Sequence, residues 1–133
     1  MPKIENKWDS LYDPGKQTWF TKLEERAINW YFSRMFGKTI LSVSEIKSGK
    51  IFEPGCGSGM TCAQFAQDGF DITLMDLSPN ALKKALTTFE NFGQSCKFTI
   101  GDLFNLPFPD EEFDVVFNQG VMEHFKIAGI SPD

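Results

Sequence analysis

The sequence predicts an α/β domain built on a parallel sheet, and three observations lead there. Short apolar runs recur at residues 51–52, 72–75, 98–100 and 113–117, each followed by an acid or a loop. Stretches with apolar residues at helical spacing alternate with them, the pattern of strand and crossover helix. The first run opens into Gly55-Cys56-Gly57-Ser58-Gly59, three glycines at alternate positions. A strand that ends in such a turn can bring backbone very close to a small ligand, because glycine has no Cβ to obstruct it.

Taken in order, residues 18–36 carry Trp19, Phe20, Leu23, Ala27, Ile28, Tyr31 and Met35 at helical spacing. They predict an amphipathic helix that covers one sheet face and stops at Gly37. Ahead of it, Trp8 and Tyr12 form an aromatic segment. Lys50 to Phe52 is the first strand, and Glu53 stands at its end beside the glycines. Its expected role is to accept hydrogen bonds from the loop amides and, through water, from a ligand ammonium. Residues 58–68 read as the next helix, ended by Gly69, with first-turn amides directed at the ligand.

Residues 72–75 form a buried strand with Asp76 at its carboxyl end, about 20 residues beyond the first glycine, where a βαβ unit places its ribose-binding acid. A carboxylate there can accept both hydroxyls of a ribose diol. The alternative is that Asp76 caps the following helix, but Ser78 and Pro79 already supply an N-cap and a first helical residue. That helix spans 78–92, with Ala81, Leu82, Ala85, Leu86 and Phe89 on one stripe and Gly93 at its end. A third strand leads to Asp102. The prolines of Leu106-Pro107-Phe108-Pro109 stop any strand before a fourth begins at Phe113.

Composition sets limits. A chain of 133 residues, 41% hydrophobic with 14 Phe, suggests one core and one domain. The net charge of −5, with no clustered Lys and Arg, argues against nucleic acid and favours a small or protein substrate. No stretch suits a membrane span or a signal peptide, so a cytoplasmic location is expected. Cys56, Cys62 and Cys96 are odd in number and unpatterned, so they are expected to be reduced, with neither disulfide nor metal site. Cys56 reads as a small apolar filler rather than a nucleophile.

The alternation Gly55-x-Gly57-x-Gly59 differs from the dinucleotide fingerprint, which disfavours a nicotinamide oxidoreductase, and no Gly-Lys pair is present to hold a triphosphate. With Glu53 in front, the run resembles the first motif of class I S-adenosylmethionine-dependent methyltransferases. Asp76, the Gly101-Asp102 segment and the run from Phe113 to Phe125 resemble the segments that follow in that family, in the same order. The resemblance covers residues 50–125 and implies a Rossmann-like doubly wound parallel sheet, about four strands in order 3-2-1-4, with an N-terminal helical cap. Two parts follow: residues 1–37 as lid and cap helix, and 38–133 as the cofactor-binding domain.

The resemblance further implies S-adenosyl-L-methionine as cofactor and methyl transfer to an acceptor, a small molecule by expectation. The glycine loop (Glu53, Gly55, Cys56, Gly57, Gly59) would wrap the amino-acid end, and Asp76 with Leu77 would meet the ribose. Asp102 with Leu103 would meet the adenine, and Asn118 with Gln119 would lie under the methionine moiety. Tyr12 would act as a lid; the bland alternative is that it packs at the helix end. His124 is a weak candidate base, since a Glu-His pair such as Glu123-His124 occurs in similar enzymes with unlike substrates. Methyl transfer needs mainly alignment, so a missing base does not exclude it. Complete domains of the family continue through further strands. The fourth strand is therefore expected as an exposed edge, in a fragment, in a chain completed by a partner or in one paired with a second copy, and a non-catalytic cofactor-binding module or fragment is the second function class.

Overall fold

The alternating signals are realised as a parallel βαβ architecture in the computed structural model, which describes residues 19–119. Tyr12, Glu123 and His124 lie outside the described residues. In chain order the elements are α1 (Trp19–Ser44), β1 (Lys50–Pro54), α2 (Met60–Gln67), β2 (Asp71–Asp76), α3 (Pro79–Asn91), β3 (Lys97–Ile100) and β4 (Val115–Val116). All ladders are parallel and the order is β3-β2-β1-β4, as the family resemblance implies.

Crossover handedness decides which face each connection takes. The chain steps from β1 to β2 to β3 in one direction, so right-handed crossovers put α2 and α3 on the same face. β4 lies on the other side of β1, and the same rule sends residues 101–114 over the opposite face. Ile51, Ile72 and Leu74 point to the helical face and pack with Phe65, Leu82, Ala85 and Phe89. Phe52 points the other way, stacks on Phe113 with ring centroids 4.8 Å apart and meets Phe108 edge-on at 5.0 Å. Ile51, Phe52, Phe65, Ile72, Leu74 and Phe89, all buried, each contribute on the order of 1.5–3 kcal/mol through area removed from water. The reversal of direction between β1 and β4 opens a crevice at their carboxyl ends, the position where open α/β sheets bind ligands.

The helix ends follow their glycines. After α2, Gly69 takes φ 92° and Phe70 N–H donates to Phe65 O at 3.1 Å; after α3, Gly93 takes φ 64° and Gln94 N–H donates to Phe89 O at 2.9 Å. These are left-handed closures that satisfy the last carbonyls. Ser78 caps α3, its hydroxyl accepting from Ala81 N–H at 3.1 Å, with Pro79 as the first helical residue.

α1 departs from expectation in two ways. It does not stop at Gly37 but continues to Ser44. Gly37 is buried where α1 meets α2, and a Cβ there would stand 3.2 Å from Phe65 Cε1 and 3.5 Å from Thr61 Cγ2. The glycine serves helix-to-helix approach, and the left-handed residue that follows the helix is Glu45, φ 57°. Nor does the predicted stripe face the core: Leu23, Ile28, Tyr31 and Met35 are all more than half exposed. Trp30, Tyr31 and Phe32 are consecutive apolar residues, so periodicity could not single out a face; Ile40 and Leu41, beyond the predicted end, pack against the core.

The outer strands differ from the inner pair. β1 is buried beyond its first residue and β2 over all but its two ends, whereas Phe98 and Ile100 of β3 are exposed although their run is apolar. β4 pairs through only Val115 and Val116, and Val116 is 56% exposed. Among the described residues no helix is long and apolar enough to cross a membrane.

Candidate functional site

The glycine turn leaves β1 with Gly55, Gly57 and Gly59 at φ 69°, 53° and 66°. A side chain at any of these would be strained, because its Cβ would crowd the neighbouring carbonyl. Gly59 has a second reason: a Cβ would stand 3.1 Å from Ala85 Cβ, so α2 and α3 could not close over β2. The turn is held from β2. Gly55 and Cys56 N–H groups donate to Met75 O at 2.7 and 3.2 Å, and Gly57 N–H donates to Asp76 Oδ2 at 3.1 Å. No side chain caps α2, which starts directly from the glycine turn, so no side chain competes there with an anionic group for its opening amides.

Asp76 ends β2 and is half-buried. Besides Gly57, it accepts from Ser78 N–H at 2.9 Å through Oδ1, a local turn that sets up the start of α3. The carboxylate thus orders both the glycine turn and the approach to α3, whose cap is Ser78, and it stands at the carboxyl end of β2, where open α/β sheets bind ligands. Each carboxylate oxygen carries two lone pairs, so one such bond on each leaves capacity for a ligand hydroxyl. After β3, Gly101 N–H donates to Asp76 O at 3.1 Å, and Asp102 Oδ1 accepts from Phe104 N–H at 3.0 Å. Leu77 and Leu103 follow their acids and are half-buried; Asn118 is half-buried and Gln119 exposed just past β4.

Glu53 lies beneath the turn, only 5% exposed. Its hydrogen bond is with the Cys62 thiol on α2, where the sequence pointed to loop amides. Those amides are taken by Met75 and Asp76, which are nearer in the β1–β2 register. Burial raises the Glu53 carboxyl from its ordinary 4.5 to about 8, with Cys62 opposing and the Asp76 charge adding to the rise. The Cys56 and Cys62 thiols are likewise pushed up by burial, and Cys96 to about 11. Such thiols carry little thiolate at neutral pH. Cys56 and Cys62 belong to the core, and all three cysteines are free.

Sequence reasoning missed Met75, Gly101 and Cys62. Met75 and Gly101 each immediately precede an acid that was singled out, and that adjacency was the available signal.

The donor set fits S-adenosylmethionine: a carboxylate at the end of β2 for a ribose diol, opening amides of α2 for a carboxylate, and glycine backbone where a Cβ would intrude. Similarity to known proteins points the same way. The sequence profile of a family described as "Methyltransferase domain" matches residues 52–130. Norajmaline N-methyltransferase of Rauvolfia serpentina is 28% identical over 119 residues, which is 87% of this chain and 41% of that protein. The eEF1A lysine and N-terminal methyltransferase homolog of Drosophila melanogaster is 31% identical over 78% of this chain and 16% of its own length. A crystal structure from Methanococcus maripaludis, assigned as an S-adenosyl-L-methionine-dependent methyltransferase, superposes with a TM-score of 0.71 at 19% identity. It shares the fold over 77% of this chain and 48% of that one. The chain thus spans less than half the length of each of these proteins.

Proposed function

We propose that this chain, which belongs to the methyltransferase domain family, binds S-adenosyl-L-methionine at the carboxyl ends of β1, β2 and β3 and serves methyl transfer to a small-molecule acceptor. The observation that carries this is the junction of Gly57 and Asp76, 3.1 Å apart, which sets a ribose-type acid against a side-chain-free turn. In this assignment Asp76 with Leu77 receives the ribose, and Asp102 with Leu103 the adenine. The opening amides of α2 receive the carboxylate, Glu53 supports the turn from below, and Asn118 and Gln119 flank the methionine portion. When bound, the cofactor supplies an electrophilic methyl on sulfur, which an aligned acceptor lone pair can take in line. The chain's own task is positioning and exclusion of water.

A small-molecule acceptor is supported by the relative named for N-methylation of norajmaline, matched over 87% of this chain. The relative named for eEF1A lysine makes protein substrates the comparison to run. Free cysteines in a chain of this kind accord with a reducing, cytoplasmic setting. The test is release of S-adenosylhomocysteine from the cofactor in the presence of small amines and, separately, of lysine-bearing proteins. Gly57→Val is the blocked-site control, because its β-branched side chain cannot take φ 53° without strain of about 1–3 kcal/mol. Release with small amines, lost in the control, supports the proposal; release only with proteins reassigns the acceptor.

A second reading is favoured by β4. Its two-residue ladder and exposed Val116 leave an open edge that a partner chain or a second copy could extend. In that case this chain is a cofactor-binding module that turns over only when the sheet is completed. Binding without product, together with a solution mass above one chain, would favour it. A cyclase structure, 25% identical over 63% of this chain with a TM-score of 0.57, is a reminder that this fold also hosts chemistry other than methyl transfer.

A further inference from the structure

Two loops of the site converge on the dipeptide Met75-Asp76. The Met75 carbonyl takes the Gly55 and Cys56 amides, the Asp76 carboxylate takes Gly57, and the Asp76 carbonyl takes Gly101. The Met75 side chain completes the set. It is 1% exposed, and a Cβ on Gly101 would stand 2.7 Å from its Sδ and 3.2 Å from its Cγ. Gly101 does not have the left-handed φ of the glycine turn. Backbone conformation therefore does not demand glycine at 101; what excludes a side chain there is the buried thioether beneath it.

We infer that Met75 is a positioning residue: its side chain sets the seat of the Gly101-Asp102 loop while its carbonyl holds the glycine turn, so the two ligand-facing loops are fixed against one another through a single residue. A methionine is suited to this, being flexible enough to fill the space under a bare Cα yet confined here by full burial. The consequence for binding is that Asp76 and Asp102 present their carboxylates at a separation determined from the core. That consequence rests on the cofactor assignment above; the mechanical link does not.

The experiment is a mutant cycle on the full chain with Gly101→Ala, Met75→Ala and the double variant. It reads the amide resonances of Gly55, Cys56, Gly57 and Phe104, and the affinity for S-adenosylhomocysteine. Gly101→Ala is expected to shift amides in both loops and to weaken S-adenosylhomocysteine by about tenfold, as an overpacked neighbour must move. Removing the thioether in that background should return the amides toward their original positions and recover most of the affinity, a non-additive result. Met75→Leu with Gly101→Ala carries the same test if the smaller residue leaves too large a cavity to fold. Effects confined to residues 101–105, or simply additive in the double variant, would overturn the inference. Coupled amide shifts in a chain that does not bind S-adenosylhomocysteine would uphold the positioning role and remove the cofactor assignment.

Discussion

The inner strands and the outer strands of this sheet carry opposite burdens. β1 and β2 are sealed between three helices on one side and the Phe52–Phe108–Phe113 cluster on the other, and the Gly55, Cys56, Gly57 and Gly101 amides are all anchored to the end of β2. β3 and β4 are short and largely open. The difference teaches that the geometry of these loops is set by the most deeply buried part of the chain, whereas the edge strands leave apolar side chains such as Phe98 and Val116 exposed.

The sharpest way to break that comparison is to truncate one side chain in each region. Leu74→Ala, at a fully buried position, should cost about 2–5 kcal/mol in denaturant unfolding, because it leaves a cavity that the neighbours fill only in part. Val116→Ala on the edge should cost less than about 1 kcal/mol. Equal losses would mean that β4 is covered in solution.

Glu53 sharpens it through pH. Its folded-state pKa of about 8 lies above the ordinary 4.5, so between these values the native state holds a proton that the unfolded chain has released. Stability is then fully present below about pH 4.5 and declines as pH rises through 8, by on the order of a few kcal/mol. Unfolding free energies from pH 5 to 8.5 should fall in the native protein and flatten in Glu53→Gln. A native profile as flat as that of Glu53→Gln would place an ionised carboxylate under the turn.

Asp76→Ala should weaken S-adenosylhomocysteine by about 1–3 kcal/mol through lost hydrogen bonds, with the Gly57 and Ser78 amides released as well. Unchanged affinity by calorimetry would remove the ribose assignment. The smallest effect belongs to the rim. The Lys97–Asp71 pair at 3.3 Å is solvent-exposed, and Lys97→Ala should change stability by less than about 0.5 kcal/mol.

What the sequence revealed follows the same division. The helix stops at Gly69 and Gly93 and the Ser78-Pro79 start of α3 were legible because each rests on local chemistry, a φ requirement or capping, whereas strand order came only through the family resemblance. The extension of α1 past Gly37 was not, since only the approach of Phe65 explains a glycine there. The exposure of Phe98 was hidden as well, because an apolar strand looks the same in the middle of a sheet as at its edge. At the site, Asp76 was visible from its spacing to the glycines, but its bonds to Gly57 and Ser78 were not. Met75 gave no sign beyond standing next to an acid, for its role lies in a backbone carbonyl and in a contact across strands.

The central claim is that the ends of β1 and β2 form a cofactor site anchored in the core. Calorimetric titration of the purified chain with S-adenosylmethionine and S-adenosylhomocysteine, with its solution mass determined alongside, tests this most directly. Saturable one-to-one binding by the folded chain is the predicted result. A folded chain that binds neither would contradict the claim.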